Sequence, residues 1–297
     1  MAELIRAQAE AKGADAAALV DERGETSWGE LDARVNRLIH ALRDRGLRPG
    51  DRVAVLSGNR REYFEAFTAC AHASLLAVPI NWHFVADEVR YVLENSGARA
   101  LLVDPAFADL ASEAGAGLDG LELRALFERG GPGASEGDAA SPGGGAEAPG
   151  ATSLPGHFEA YEDVLAAASA GEPADQGQGG PMFYTSGTTG HPKGVRRLGD
   201  LGAPVMASQQ MSQGFAMMTG APIGGVTLLC GPVYHSAQWA FSYLPLVGGS
   251  TVVMRRRFDP AETLELIDRW GVTNVHLVPT QFVRLLRLDE ERRQAFD

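Results

Sequence analysis

Residues 184–195 read Tyr-Thr-Ser-Gly-Thr-Thr-Gly-His-Pro-Lys-Gly-Val, and this glycine- and hydroxyl-rich stretch guides the interpretation of the whole chain. It follows a short apolar run at 182–184, which predicts a strand that leads into a loop. Gly187, Gly190 and Gly194 allow the backbone to approach an anion closely and to adopt positive φ angles. Short hydroxyl side chains and the ammonium group of Lys193 add donors suited to phosphate oxygens. The stretch therefore predicts a loop that binds a polyphosphate.

The spacing of this loop differs from that of a Walker A loop, which places four residues between two glycines and then Lys-Ser or Lys-Thr. Here two residues separate Gly187 from Gly190, and Gly194 follows Lys193. This spacing disfavours a P-loop kinase or GTPase. Of the 26 basic residues only Lys12 and Lys193 are lysines, so the presence of one of them in the loop is informative.

Apolar strand-like runs alternate with helix-like segments on both sides of the loop. We predict strands at 17–21, 52–57, 77–81, 98–104, 226–233, 251–255 and 272–278. Helices are predicted from a capping box at Ser27 and Glu30 to a stop at Gly46, and near 61–75, 85–95, 202–218, 236–246 and 260–270, the last with Asp259 as N-cap. Such alternation is typical of an α/β fold with largely parallel sheets.

The chain is predicted to contain two α/β subdomains, over 1–180 and 181–297, the second beginning at the phosphate loop. In the stretch 130–156, 13 of 27 residues are glycine or proline, and few are large and apolar. Such a composition cannot bury enough apolar surface to offset its ordering entropy, so this stretch is predicted to be a disordered insertion.

Length, charge and cysteine content narrow the class of protein. The 297 residues are 45% hydrophobic, enough for a sizeable core. The formal net charge of −12 argues against a nucleic-acid partner. Cys70 and Cys230 are too few for a disulfide framework, which favours the cytoplasm. No apolar run is long enough for an integral membrane segment, and the charged N-terminus does not resemble a signal peptide.

The stretch 184–195 resembles the phosphate-binding signature of the adenylate-forming, or AMP-binding, enzymes, among them the acyl-CoA synthetases. Residues 232–238 (Pro-Val-Tyr-His-Ser-Ala-Gln) are similar to the second motif of that family, and 278–280 (Val-Pro-Thr) to a later one. The runs near 26–31, 52–56 and 77–81 also resemble its first subdomain. The resemblance implies layered sheets of largely parallel strands with flanking helices.

The resemblance also implies a reaction and a set of site residues. An acyl-CoA synthetase joins a small carboxylic acid to coenzyme A with ATP and Mg²⁺, through an acyl-adenylate. We expect a fatty acid as substrate, although an aryl acid would suit the same side chains. By position, His235 would gate the acyl pocket and contact the carboxylate region, and Lys193 would act in catalysis. The residues that match the phosphate loop are Thr185, Ser186, Gly187, Thr188, Thr189, Gly190 and Lys193.

Two of these assignments have structural alternatives. Trp239 and Phe241 could line the acyl pocket or be ordinary core aromatics, and His235 could simply cap the helix that begins near 236. No residue is assigned to a metal. Arg255 and its two neighbouring arginines could meet a phosphate of coenzyme A or form a solvated face.

Motifs that the family uses for adenine, ribose and the C-terminal lid are not found in the sequence. We therefore expect an N-terminal portion of a ligase that is inactive alone, with weak or no ATP binding. The alternative is a non-catalytic relative that binds an acyl group or a protein partner. Both the ligase portion and the non-catalytic relative could self-associate into a homo-oligomer.

Overall fold

The computed structural model describes residues 2–129, 157–185, 192–196, 201–203 and 206–296. The predicted insertion at 130–156 lies outside the described residues, as do five of the phosphate-loop positions. Those five are Ser186, Gly187, Thr188, Thr189 and Gly190.

Helices and strands alternate along the described residues. The strands are β1 Ala17–Asp21, β2 Gly24–Ser27, β3 Arg52–Leu56, β4 Leu76–Ile80, β5 Ala98–Val103, β6 Leu123–Leu126, β7 Glu159–Ala160, β8 Gly180–Thr185, β9 Lys193–Arg196, β10 Val226–Leu229, β11 Thr251–Met254 and β12 Asn274–Val275. The helices are α1 Ala2–Lys12, α2 Trp28–Asp44, α3 Arg61–His72, α4 Ala86–Ser96, α5 Ala108–Ala114, α6 Tyr161–Ala166, α7 Met206–Thr219, α8 Ser236–Val247, α9 Pro260–Trp270, α10 Pro279–Leu286 and α11 Glu290–Arg293.

The strands form two sheets. One sheet has the order β12-β10-β11-β1-β2 and the other the order β7-β6-β5-β3-β4-β8-β9. All neighbouring strands are parallel except in the pairs β1–β2 and β8–β9. The predicted α/β fold with largely parallel sheets is therefore confirmed. Each sheet contains strands from both sides of residue 180, so the division into subdomains at that residue stays a prediction.

The burial pattern arranges the elements into five layers. Alternate residues of β3 enter different cores, because successive side chains of a strand point to opposite faces. Val53 and Val55 join the central core, which α2, α3 and α8 fill between the two sheets. Ala54 and Leu56 join an outer core under α4 and α5. A third core lies between the five-stranded sheet and α9, around Val253.

Side-chain caps begin two of the predicted helices where expected. The backbone N–H of Glu30 donates to the Ser27 hydroxyl at 3.1 Å, and that of Glu262 donates to the Asp259 carboxylate at 2.8 Å. The helix predicted at 202–218 begins later, at Met206, and the strand predicted at 272–278 is reduced to Asn274–Val275. No helix in the described part of the chain is long and apolar enough to span a bilayer.

Candidate functional site

Two of the predicted phosphate-loop residues, Thr185 and Lys193, face each other at the open end of a β-hairpin. β8 and β9 pair in antiparallel register, with Thr185 opposite Lys193 and Phe183 opposite Val195. Because side chains alternate along a strand, these four residues share one face of the hairpin. Thr185 and Lys193 are both exposed. The hairpin therefore presents a hydroxyl and an ammonium group side by side at the two ends of the predicted loop, an arrangement that fits an anion.

The other face of the hairpin packs on α4. The Tyr184 hydroxyl donates to Asn95 Oδ1 at 2.8 Å, and the Tyr91 hydroxyl donates to the carbonyl oxygen of Pro192 at 3.1 Å. Burial raises the pKa of Tyr184 to about 12, so its hydroxyl remains a donor. A Cβ atom at Gly194 would lie 3.1 Å from the Tyr184 ring. Gly194 does not have the positive φ that we predicted. The close approach of its backbone to Tyr184 explains instead why a glycine occupies this position.

An apolar cavity of about 270 Å³ lies between this hairpin and α8. Its lining comes from several elements and is formed by Ala71, Leu76, Gln178, Gly179, Gly180, Pro181, Phe183, Val195, Leu201, Met211, Trp239, Tyr243, Leu244 and Val247. The rings of Phe183 and Trp239 meet edge to face with their centroids 5.6 Å apart. An engineered apolar cavity of about 150 Å³ binds benzene, so the space here suits an aromatic ring with a substituent or a medium acyl chain.

His235 lies one helical turn from this cavity. It occupies the N-cap position of α8, and the N–H of Trp239 donates to its carbonyl oxygen at 2.9 Å. Residues four apart on a helix share a face, so His235, Trp239 and Tyr243 form one stripe along α8. The His235 side chain makes no capping hydrogen bond and is exposed. The capping alternative is therefore wrong for its side chain, and the imidazole stays available at the mouth of the site.

A series of ring contacts links His235 to the segment that follows β4. Its ring lies 4.3 Å from that of Tyr234, and Tyr234 meets Trp82 edge to face at 6.3 Å between centroids. Trp82 in turn lies 3.7 Å from the ring of His83, in the segment that follows β4. Desolvation by the surrounding surface, together with the nearby His83, lowers the pKa of His235. Both effects favour a neutral imidazole at physiological pH.

The structure separates Phe241 from Trp239. Two residues along a helix correspond to a rotation of about 200°, so Phe241 lies on the opposite side of α8. Its ring packs on Phe215 at 4.9 Å and on His276 at 4.7 Å between centroids. Phe241 is absent from the lining of the described cavity, and its predicted role in a pocket shared with Trp239 is therefore not supported.

The sequence analysis missed Asn59, whose side chain holds the loop before His235. The side-chain amide of Asn59 donates to the carbonyl oxygens of Gly231 at 3.0 Å and Arg255 at 3.1 Å, and its oxygen accepts from the N–H of Val233 at 2.9 Å. Asn59 follows β3 in the seven-stranded sheet, whereas the loop follows β10 in the other. An asparagine just beyond a buried strand was the available signal.

The arginine cluster after β11 is engaged in ion pairs. Arg255 contacts Glu262 at 2.6 Å, and Arg256 contacts Asp104 at 2.9 Å. These pairs disfavour both alternatives considered for Arg255, a coenzyme A contact and a solvated face. No group of three metal-ligating side chains lies close together among the residues that the structure describes.

Curated relatives of this chain are acid–thiol ligases. It is 31% identical to a feruloyl-CoA synthase of an Amycolatopsis species over 86% of its own length and 44% of the relative. It is 28% identical to a long-chain-fatty-acid–CoA ligase of Thermus thermophilus, covering 88% of the chain and 43% of the relative. The chain thus spans about half the length of the curated relatives that it matches.

Solved structures share the fold. The N-terminal domain of FACL13 from Mycobacterium tuberculosis matches all of this chain with a TM-score of 0.74 at 23% identity, over 66% of its own length. An o-succinylbenzoate coenzyme A synthetase from Bacillus subtilis, in complex with ATP and a magnesium ion, matches 97% of the chain and 52% of its own with a TM-score of 0.68 at 24% identity. Residues 5–297 match the sequence model of the AMP-binding enzyme family. This chain therefore belongs to the AMP-binding enzyme family.

Proposed function

We propose that this chain carries the phosphate-binding and acyl-binding parts of an ATP-dependent carboxylic acid–CoA ligase that acts through an acyl-adenylate. The observation that carries the proposal is the apolar cavity under α8, which Phe183 and Val195 of the hairpin and Trp239 of α8 line. Thr185 and Lys193 follow on the same face of the hairpin, and His235 lies one turn before Trp239 on α8. Such a site can hold the tail of an acid in the cavity with its carboxylate near the phosphates.

The chemistry assigned to the chain is positioning and charge neutralisation. Lys193, Thr185 and the loop between them would hold the β- and γ-phosphates of ATP. The acid carboxylate would then attack the α-phosphate and release pyrophosphate, and the thiol of coenzyme A would next displace AMP. Neutralising phosphate charge in a site with fixed donors is the main source of rate enhancement in such transfers.

His235 would lie beside the carboxylate as a neutral imidazole that can donate one hydrogen bond. Mg²⁺ would accompany ATP and neutralise phosphate charge. No residue is assigned to it, since the described residues contain no cluster of metal ligands.

The names of two relatives indicate the classes of acid that we consider as substrate. One is a feruloyl-CoA synthase and another a long-chain-fatty-acid–CoA ligase, so the family resemblance accommodates both aryl and fatty acids. The cavity volume of about 270 Å³ favours an aryl acid or an acyl chain of medium length over a long chain held entirely inside. A cytoplasmic location is part of the proposal and is supported by two buried free cysteines.

The chain's two lysines provide a matched test. Lys12 is exposed, and its Nζ atom donates to the carbonyl oxygen of Gly224 at 3.2 Å, away from the hairpin. We expect the 297-residue chain to bind ATP weakly, Lys193→Ala to weaken that binding by about tenfold through loss of a phosphate cation, and Lys12→Ala to leave it unchanged. Titration calorimetry at low salt measures all three. Equal effects of the two substitutions on the binding of ATP would refute the proposed phosphate site.

The catalytic and non-catalytic alternatives are separated by exchange of labelled pyrophosphate into ATP. We expect no acid-dependent exchange from the chain alone. A ligase origin is supported if Lys193→Ala also reduces exchange in any longer product of the gene. A longer product that binds acids but gives no exchange would favour the non-catalytic acyl-binding relative.

A further inference from the structure

Helix α7 packs one face on α8 and leaves the opposite face uncovered. On the inner face, the Ser212 hydroxyl donates to the carbonyl oxygen of Leu244, in α8, at 2.8 Å. On the outer face, Met217 is 87% exposed and Met218 is 79% exposed. The outward face of a surface helix normally carries charged and polar residues. Two fully apolar side chains that extend into solvent therefore mark this face as a candidate contact surface.

The outer face of α7 has the residue spacing of a helix–helix contact. Met211, Gly214 and Met218 are all exposed and recur at i, i+3 and i+7 along the helix. This spacing places the three residues in one stripe, and it is the spacing of the seam between two packed helices. Gln210 and Met217 flank the stripe, and α7 contains no charged residue.

Gly214, at the centre of the stripe, has no contact within the chain that requires a glycine. Its φ is not positive, and a Cβ atom added there would meet no other part of the chain within 4 Å. A glycine inside a helix is destabilising relative to alanine. Where two helices pack together, however, the missing side chain lets their backbones approach closely. A second helix packed on α7 would therefore explain this glycine.

Charge favours a second copy of this chain as the partner. The formal net charge is −12, so two copies repel each other where their charged surfaces meet. Residues 201–254, which include α7, contain no Asp, Glu, Lys or Arg. Two copies can thus bring their α7 helices together without placing like charges opposite each other. In a two-fold contact both copies use the same face, so Met218 of each can fill the space at Gly214 of the other.

We propose that this chain forms a reversible dimer in which the α7 helices of two copies pack against each other at Gly214. α7 has 14 residues, so a pair of these helices should bury less than the roughly 1,600 Å² of a standard interface. We therefore expect a dissociation constant in the micromolar range. This inference goes beyond the proposed function and does not depend on it.

A second group of exposed apolar residues lies on α10 and provides a control. Phe282 is 52% exposed and Leu286 is 66% exposed. Unlike α7, this helix also contains two exposed arginines, Arg284 and Arg287. Two α10 helices brought together would carry like charges, which opposes their pairing. The contact between copies is therefore assigned to α7.

Sedimentation velocity of the 297-residue chain, from low to several hundred micromolar, tests the proposal. We expect the dimer fraction to rise with concentration. Added salt should strengthen the association, because it screens the repulsion between two chains of net charge −12 and the contact itself is uncharged. A monomer throughout this range would overturn the proposal, including the case in which a lipid or another protein covers α7. Association that salt weakens would also overturn it.

A matched pair of variants then locates the contact. Met218→Glu places a negative charge on each copy at the centre of the contact, and we expect it to weaken the dimer by about tenfold or more. Leu286→Glu adds the same charge to an exposed apolar position of α10 and should leave the association unchanged. Equal effects of the two substitutions, or a larger effect of Leu286→Glu, would overturn the assignment to α7. Circular dichroism checks the fold of each variant.

Gly214→Gln separates a contact between copies from a role of this glycine within one copy. The glutamine side chain would occupy the space between the helices, so the dimer should weaken by about tenfold. The same change should raise the urea midpoint of the dilute, monomeric chain, because glutamine is a better helix former than glycine. A lowered midpoint would show that Gly214 is needed within the monomer, and an unweakened dimer would show that the helices do not meet there. Either result would overturn the proposed contact.

Discussion

The carboxylate of Asp21 connects the five-stranded sheet to α3, and its removal should destabilise the chain by a predictable amount. Asp21 ends β1 in the five-stranded sheet and is 5% exposed. It accepts hydrogen bonds from both the side chain and the backbone of Arg61, at the start of α3, and from the N–H of Arg23 at 2.9 Å. Substitution by asparagine keeps the size of the side chain and removes its charge.

The pKa of Asp21 gives the size of the effect. Burial raises this pKa, but the hydrogen bonds and charge of Arg61, with the charge of Arg23, outweigh burial and lower it from 3.8 to about 2. One pKa unit corresponds to about 1.4 kcal/mol, so the charged form contributes about 2 kcal/mol to the free energy of unfolding. Because the folded pKa is depressed, this contribution is complete well above 3.8 and is lost as the pH falls toward 2.

Urea unfolding at neutral pH and near pH 3 tests this reasoning. We expect Asp21→Asn to lose about 2 kcal/mol at neutral pH and about half of that near pH 3. Asp15→Asn is the matched control, because Asp15 is exposed and surface substitutions change stability by no more than about 0.5 kcal/mol. A loss below about 1 kcal/mol at neutral pH, or one that does not change with pH, would refute the assigned electrostatic role.

Two further predictions concern the stability of α9 and the cysteines. Asp259→Ala should lower the free energy of unfolding by about 1 kcal/mol, because the N–H of Glu262 loses its cap; an unchanged urea midpoint would contradict this. Burial raises the pKa of the Cys70 thiol and brings that of Cys230 to about 12, so neither should react with a chromogenic disulfide reagent in the native chain at neutral pH. Both should react in urea, and rapid native labelling would show that a thiol is accessible.

Much of the fold could be predicted because its signals are local. Ser27 and Asp259 cap helices through their own side chains, and these contacts lie within three residues of each cap. The buried strands β3, β4 and β5 are apolar runs bounded by turns. Parallel pairing then follows from the helices between them, since a crossover connection is needed to return the chain in the same direction.

The elements that were missed depend on distant partners. β9 consists of Lys-Gly-Val-Arg, which has little strand propensity, and it is a strand because β8 pairs with it over four residues. β2 is polar and pairs with β1 at the edge of its sheet. The cavity could not be predicted from the sequence either, because part of its wall, at Gln178, lies in a glycine-rich stretch whose composition indicates only a loop. Its position is set by hydrogen bonds to Ala203 and Gly202.

The candidate site is divided between the two sheets, so its geometry depends on the contacts that join them. The hairpin that we propose to bind phosphate belongs to the seven-stranded sheet, whereas His235 and Trp239 lie at the start and on the first turn of the helix that connects β10 to β11 of the other. Asn59 holds the loop before His235 across this junction with two hydrogen bonds and contacts Arg255 with a third, and Asp21 connects β1 to α3. Because reacting groups must be placed within a fraction of an ångström, these contacts would position the acid relative to the phosphates in the proposed reaction, although neither residue lines the cavity.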